Sequence, residues 1–254
     1  MTKKHLGQNY LSDSSILGNI IRCAELSSED TVVEIGPGPG RLTRMLAETA
    51  KRLIAIELDP ELYERLKGDF IAYNNVEIVQ GDALRFPFEK IGAFKVVANI
   101  PYYITTPIIF RLLDAKEFLK SMTLTIQKEV AERIVAQPGG RTYGVLTIMV
   151  QYFAQPELKF IIPKEAFKPM PKVDSAVLHM KILEHPSVTV KDEKIFFSLV
   201  RTAFSHRRKT LSNSLKGLGE EIRDVMISAG IDPQRRPETL ILEEFARLSD
   251  ALTK

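Results

Sequence analysis

Asn99-Ile100-Pro101-Tyr102 sets an amide oxygen, a proline-stiffened turn and an aromatic ring side by side, directly after the apolar run Phe94-Lys95-Val96-Val97-Ala98. That combination suits one chemical problem, methylation of the exocyclic amine of adenine. The amine's lone pair is delocalised into the ring, so it is a poor nucleophile. Acceptors on Asn99 and on the Ile100 or Pro101 carbonyl would hold its two hydrogens and draw the nitrogen toward tetrahedral geometry. They would also stabilise positive charge as the methyl group arrives. Tyr102 would stack on the base. Taken alone, the tetrapeptide is equally a loop in which Asn and Pro end a strand. Its surroundings decide between the two.

A second motif, Glu34-Ile35-Gly36-Pro37-Gly38-Pro39-Gly40, leaves an earlier apolar run and opens a helical pattern. Glycines let the backbone turn sharply and come close to a ligand. With Arg at position 41 the spacing misses the Gly-x-Gly-x-x-Gly of dinucleotide sites. E-x-G-x-G-x-G instead suits S-adenosylmethionine, which has no pyrophosphate to seat. Gly36 and Gly38 are the candidate contacts. Glu57 ends the next apolar run, about 20 residues on, where an acid can accept from ribose hydroxyls. Asp82, in Gly81-Asp82-Ala83 after a third run, could accept from the cofactor's adenine amine, although an isolated Asp there is more often a helix cap.

These residues need a frame that brings strand ends together. Apolar runs at Thr31–Ile35, Leu53–Glu57, Val76–Val79, Lys95–Ala98 and Met122–Ile126 alternate with helical patterns such as 42–47 and 61–66. Runs with little polar alternation suit strands covered on both faces. Repeated βα units predict a doubly wound, Rossmann-like parallel sheet whose ligands sit at the carboxyl ends of its strands. Leu158–Ile162 and Ala176–Leu183 can add edge strands. From about Lys191 the pattern is helical, so an α/β catalytic domain over 1–185 and a small all-α domain over 186–254 are expected. The 254 residues are 44% hydrophobic and 26% charged, as in ordinary soluble proteins. No apolar run approaches the roughly 18 residues needed to span a bilayer. The amino terminus lacks the apolar core of a signal peptide. One cysteine, Cys23, excludes a disulfide framework and a cysteine-rich metal site; no metal is expected. The reading is a cytoplasmic monomer.

Further segments carry a resemblance. The chain is similar over nearly its whole length to the KsgA-type family of ribosomal RNA adenine dimethyltransferases. His5-Leu6-Gly7-Gln8-Asn9-Tyr10-Leu11 resembles that family's cofactor-lid motif, which implies S-adenosylmethionine contacts at Asn9 and Leu11 and, further on, at Gly36, Glu57, Asp82 and Asn99. Gln127–Arg133 resembles the segment after its fifth strand. Phe167-Lys168-Pro169-Met170-Pro171-Lys172-Val173-Asp174-Ser175 matches a signature that places an aromatic beside the target base. Phe204-Ser205-His206-Arg207-Arg208-Lys209-Thr210-Leu211 resembles the start of the helical domain. The prolines of the signature also read as a rigid loop that could present Phe167 opposite Tyr102 and sandwich a flipped base.

Net charge is only +3, so a nucleic-acid partner must be argued from charge distribution. Lys194, Arg201, Arg207, Arg208, Lys209 and Lys216 occur in a stretch without acids, with Phe197, Val200 and Phe204 as its apolar face. Arg201, Arg207, Arg208 and Lys209 are the candidate RNA contacts; Arg235 and Arg236, between prolines, are weaker ones. The resemblance implies dimethylation of two adjacent adenosines in a hairpin loop near the 3′ end of small-subunit ribosomal RNA, within the assembling small subunit. Three rivals remain at this point. One is an Erm-type methyltransferase of large-subunit RNA, in which Ile100 is also seen. The others are a mainly non-catalytic assembly or transcription factor and a DNA adenine methyltransferase.

Overall fold

Apolar runs that are hydrophobic on both faces are best satisfied inside a layered sheet, and all of those read from the sequence except Val76–Val79, which forms an edge strand, are found there. The computed structural model describes residues 9–206, 208–219 and 221–253. Its strands are β1 (Tyr10–Leu11), β2 (Thr31–Ile35), β3 (Arg52–Glu57), β4 (Val76–Gln80), β5 (Phe94–Asn99), β6 (Leu119–Gln127), β7 (Ala154–Ile162), β8 (Phe167–Lys168) and β9 (Ser175–Ile182). A seven-stranded sheet runs in the order β4-β3-β2-β5-β6-β9-β7. Its first five strands are parallel, and β9 joins β6 antiparallel. The expected Rossmann-like α/β sheet is therefore present, with strand ends within a few residues of those read from sequence.

Helices α1 (Ser14–Cys23), α2 (Arg41–Thr49), α3 (Pro60–Asp69) and α4 (Thr105–Asp114) belong to this sheet. Local chemistry starts them: Asp13 accepts from the Ser15 and Ile16 amides, and Asp59 accepts from Glu61 N with Pro60 in the first helical position. Because the chain passes from β2 to β3 and β4 and then crosses to β5 on the other side of β2, the strand order reverses between β2 and β5. A crevice opens at such a point, beyond the carboxyl ends. Gly36 follows β2 and Asn99 ends β5, so the topology alone brings the two motifs together.

By contact the chain groups into two units, one running through Ala131 and resuming over Pro156–Ile182, the other formed by Glu132–Gln155 and everything from Leu183 on. The sequence pattern predicts 132–155 within the sheet domain. In the structure that stretch carries the end of α5 (Lys128–Ile134) and all of α6 (Val145–Phe153). Tyr143, Ile148 and Tyr152 from it share a core with Phe196, Leu199, Phe204 and Phe245. The remaining helices of this unit are α7 (Glu193–Ala203), α8 (Leu211–Leu215), α9 (Ile222–Ser228) and α10 (Leu242–Leu252). The buried face of α7 is Phe196, Leu199, Val200 and Ala203, a three-four spacing that starts one residue earlier than expected; Phe197 is only half-buried. Among the described residues, no helix is long and apolar enough to cross a membrane.

A small second sheet was not anticipated. β1 pairs antiparallel with β8, Tyr10 opposite Lys168 and Leu11 opposite Phe167. The amino-terminal strap is thus tied to the entrance of the proline signature.

Candidate active site

Beyond the ends of β2, β3, β4 and β5 lies a cavity of about 940 Å³, open mouth included, lined by Asn9, Gly36, Gly38, Glu57, Asp82, Asn99, Ile100, Pro101 and Tyr102 among others. The catalytic and cofactor residues read from sequence, apart from Leu11 and Phe167, are on this wall.

Asn99 is fixed by the strap. Its Nδ2 donates to the Asn9 carbonyl at 2.9 Å. A carbonyl only accepts, so that contact must use the amide nitrogen, and Oδ1 is left to accept from a ligand. Ile100 N continues the sheet register by donating to Thr125 O. The Pro101 carbonyl accepts from Ile104 N at 3.1 Å and closes the turn. No donor among the described residues reaches the Ile100 carbonyl. Of the two backbone acceptors considered from sequence, Ile100 is therefore the one the turn leaves available. The Tyr102 hydroxyl lies 2.7 Å from Ser175 Oγ at the start of β9, which anchors the ring. Burial, opposed by that bond, raises the Tyr102 hydroxyl above its ordinary pKa.

Glu57 is buried, and its carboxylate accepts from Gly38 N at 3.2 Å and Asp59 N at 2.8 Å. Burial raises its pKa, and those amide bonds work against the rise. Asp82 does what an isolated Asp usually does, accepting from Leu84 N at 2.9 Å, and it also lines the cavity. Its two readings are not exclusive. Glu34, the first residue of the glycine motif, is 2% exposed and its acid is pushed up to about 8, chiefly by burial.

Tyr10 was missed. It lines the cavity, and burial first, then Glu57 and Asp59, raise its hydroxyl to about 12. The signal was its place inside the motif flanked by Asn9 and Leu11. A methyl on Gly38 would lie 2.5 Å from Tyr10 Cε1, at a φ of +58° that L side chains rarely adopt. Gly38→Ala therefore has to push the strap outward. It should weaken S-adenosylmethionine binding about tenfold or more, the equivalent of roughly 1–3 kcal/mol of strain, as read by calorimetric titration. Unchanged affinity would separate the strap from the cofactor.

Two residues expected at the site have their side chains in the core. Leu11 packs with Leu17, Ile20 and Val177, outside the main cavity but lining a smaller neighbouring one with Tyr10, Gly36 and Asn99. Phe167 is 1% exposed in the same core. Its backbone pairs with Leu11 and its ring is packed in that core, where the sequence predicts a ring beside the target base. In the helical unit, Arg201, Arg208 and Lys209 are exposed, and Arg207 lies outside the described residues. Arg235 is a structural cation: its guanidinium grips Glu244, with Nη2 3.0 Å from Oε2, and donates to the Thr239 carbonyl.

The donors and acceptors fit S-adenosylmethionine. Acidic Glu57 and Asp82 can take ribose and adenine hydrogens, and an anionic wall lowers the cost of a sulfonium. Fold and site define a Rossmann-like, S-adenosylmethionine-dependent methyltransferase. Comparison with known proteins narrows this. The sequence model of the family described as ribosomal RNA adenine dimethylase matches residues 1–254. The ribosomal RNA small subunit methyltransferase A of Clostridium botulinum (strain Loch Maree / Type A3) is 50% identical over 256 residues, 98% of this chain and 93% of that protein. Its namesake from Caldanaerobacter subterraneus subsp. tengcongensis is 46% identical over 260 residues, 98% and 97% of the two chains. Among solved structures, a dimethyladenosine transferase from Plasmodium falciparum superposes with a TM-score of 0.84 at 31% identity, over 94% of this chain and 95% of that one. The 23S rRNA methyltransferase ErmE gives 0.77 at 28%, over 97% and 100%. The chain belongs to the ribosomal RNA adenine dimethylase family.

Proposed function

We propose that this protein transfers methyl groups from S-adenosylmethionine to the exocyclic N6 of two adjacent adenosines in a hairpin loop near the 3′ end of small-subunit ribosomal RNA, on the assembling subunit in the cytoplasm. The observation that carries the reading is the Asn99 amide: its nitrogen is held by the Asn9 carbonyl, and its oxygen is thereby aimed for a donor in a cavity that also holds Tyr102, Glu57 and Asp82.

When bound, S-adenosylmethionine supplies an electrophilic sulfonium methyl. Glu57 and Asp82 hold its ribose and adenine, and Gly36 and Gly38 let the backbone approach it. On the substrate side, Asn99 Oδ1 and the Ile100 carbonyl each accept one hydrogen of the amine, which localises the lone pair on nitrogen. Tyr102, anchored through Ser175, stacks on the extruded base. The nitrogen would become cationic as its bond to the methyl carbon forms and the carbon–sulfur bond breaks with its electron pair on sulfur, leaving a neutral thioether; the same two oxygens stabilise that charge before a proton leaves to solvent. No His, Cys or Lys lines the cavity among the described residues, so positioning and desolvation carry the rate.

Small subunits lacking this modification should take up labelled methyl groups, recovered as dimethyladenosine, while large subunits and DNA should not. Labelling of large subunits alone, or tight binding without labelling, would sink the proposal. RNA is held in part by the exposed Arg201, Arg208 and Lys209, with Arg207 assigned from the basic run of the sequence. Combining Arg208→Ala with Lys209→Ala should raise KM for subunits and lower the slope of log KM against log salt by about two, one for each phosphate that is no longer neutralised. An unaltered salt dependence would place the RNA elsewhere.

A further inference from the structure

The proline signature contains large apolar side chains that the fold leaves in water. Met170 is 61% and Val173 45% exposed, three residues apart in a single loop. Lone exposed apolar residues are common and need no explanation. This pair differs in its setting. Lys168 and Lys172 are exposed beside it, and no acid lies between residues 166 and 173. Pro169 and Pro171 fix φ at alternate positions, so the loop presents its side chains with little conformational entropy left to lose.

Both ends of the loop are held. Phe167 is buried and pairs with Leu11. Asp174 accepts from Lys164 N through its carboxylate at 3.1 Å, and its carbonyl accepts from Lys128 N at 3.0 Å. Ser175, fully buried, is hydrogen-bonded to the Tyr102 hydroxyl. The segment that carries Met170 is thus tied directly to the ring assigned to the target base.

We propose that this loop is a wedge for the RNA substrate: Met170, supported by Val173, enters the stack beside the target adenosine and fills the gap left when that base is extruded, while Lys168 and Lys172 contact the flanking phosphates. The inference rests on the function proposed above. Taking a base out of its stack costs a few kcal/mol. Apolar side chains inserted between bases are a known way to offset that cost, and a flexible, polarizable thioether packs well against an irregular gap. An apolar finger between cations matches the chemistry of bases flanked by phosphates.

Three proteins test it: wild type, Met170→Ser and Met170→Leu. Each is assayed for cofactor affinity, for kcat and KM on unmodified small subunits, and for fluorescence of a small-subunit 3′ hairpin carrying 2-aminopurine at the target adenosine. The wild type should brighten the probe as the base unstacks. Met170→Ser should melt and bind S-adenosylmethionine like wild type, lose most of the fluorescence rise and drop about tenfold in kcat with little change in KM. Met170→Leu should restore both readouts. Normal kcat and normal brightening by Met170→Ser would overturn the wedge alone. Slower labelling of subunits with a normal probe signal would mean that the loop touches a ribosomal protein, and would also overturn it. Unlabelled subunits with wild type would overturn the functional reading and the wedge together.

Discussion

Asn99→Ala should reduce methyl transfer by about a thousandfold while leaving a folded protein. The side chain is half-buried at the end of β5, and its replacement opens no core cavity. What disappears is the acceptor that localises the amine's lone pair and offsets the charge that develops on nitrogen. Single groups of this kind, aimed at developing charge, are typically worth about 10²–10³ in kcat. The same substitution also removes the donor that holds the Asn9 carbonyl, so some cofactor affinity should go with it. Asn99→Asp separates the two roles. A carboxylate still accepts from the amine, but it cannot donate to Asn9 and would face that carbonyl with like polarity. Asn99→Asp should therefore keep more kcat than Asn99→Ala and bind S-adenosylmethionine less well. Single-turnover rates together with calorimetric titration read both quantities. Equal kcat for wild type and Asn99→Ala would remove Asn99 from the mechanism.

The parts of this protein that were legible in sequence are those whose cause is local. β2, β3, β5 and β6 announce themselves because strands buried on both faces are mostly apolar, and their parallel direction follows from the βα alternation between them. The Gly36, Glu57, Asp82 and Asn99 positions follow in turn, since each sits just past a strand end and the topology converges those ends. Pairings between distant segments were not legible. Nothing near Leu11 or Phe167 states that residues 10–11 will zip onto 167–168, yet they do, and both side chains are buried there. Likewise 132–155 reads as a continuation of the α/β pattern, and only the packing of Tyr143 and Tyr152 against α7 and α10 residues assigns it to the helical unit. Arg235 looked available because its partner, Glu244, lies beyond a proline turn. Met170 and Val173 carried no signal of their own, since exposure of an apolar residue is a property of the fold.

Glu34 offers the clearest dependence on pH. Its acid is pushed up to about 8 from an ordinary value of 4.5, because burial penalises the carboxylate; the Thr43 hydroxyl pulls the other way and nearby Glu57 adds repulsion. Oε2 has no hydrogen-bond partner among the described residues, as suits a group held neutral. The sign follows from proton counting. Between about pH 4.5 and 8 the folded protein keeps a proton that the unfolded chain has released, so stability falls as pH rises through that window. From pH 5 to pH 8 the loss attributable to this group is about 3 kcal/mol, an order-of-magnitude figure. Glu34→Gln removes the titration while copying the size and neutrality of the protonated acid. The variant should match the wild type near pH 5 and exceed its melting temperature by something on the order of 10 °C at pH 8. Glu57, also shifted upward, remains in both proteins, so the difference between the two curves isolates Glu34. Parallel melting curves from pH 5 to 8 would mean that Glu34 reaches water or a cation in the folded protein.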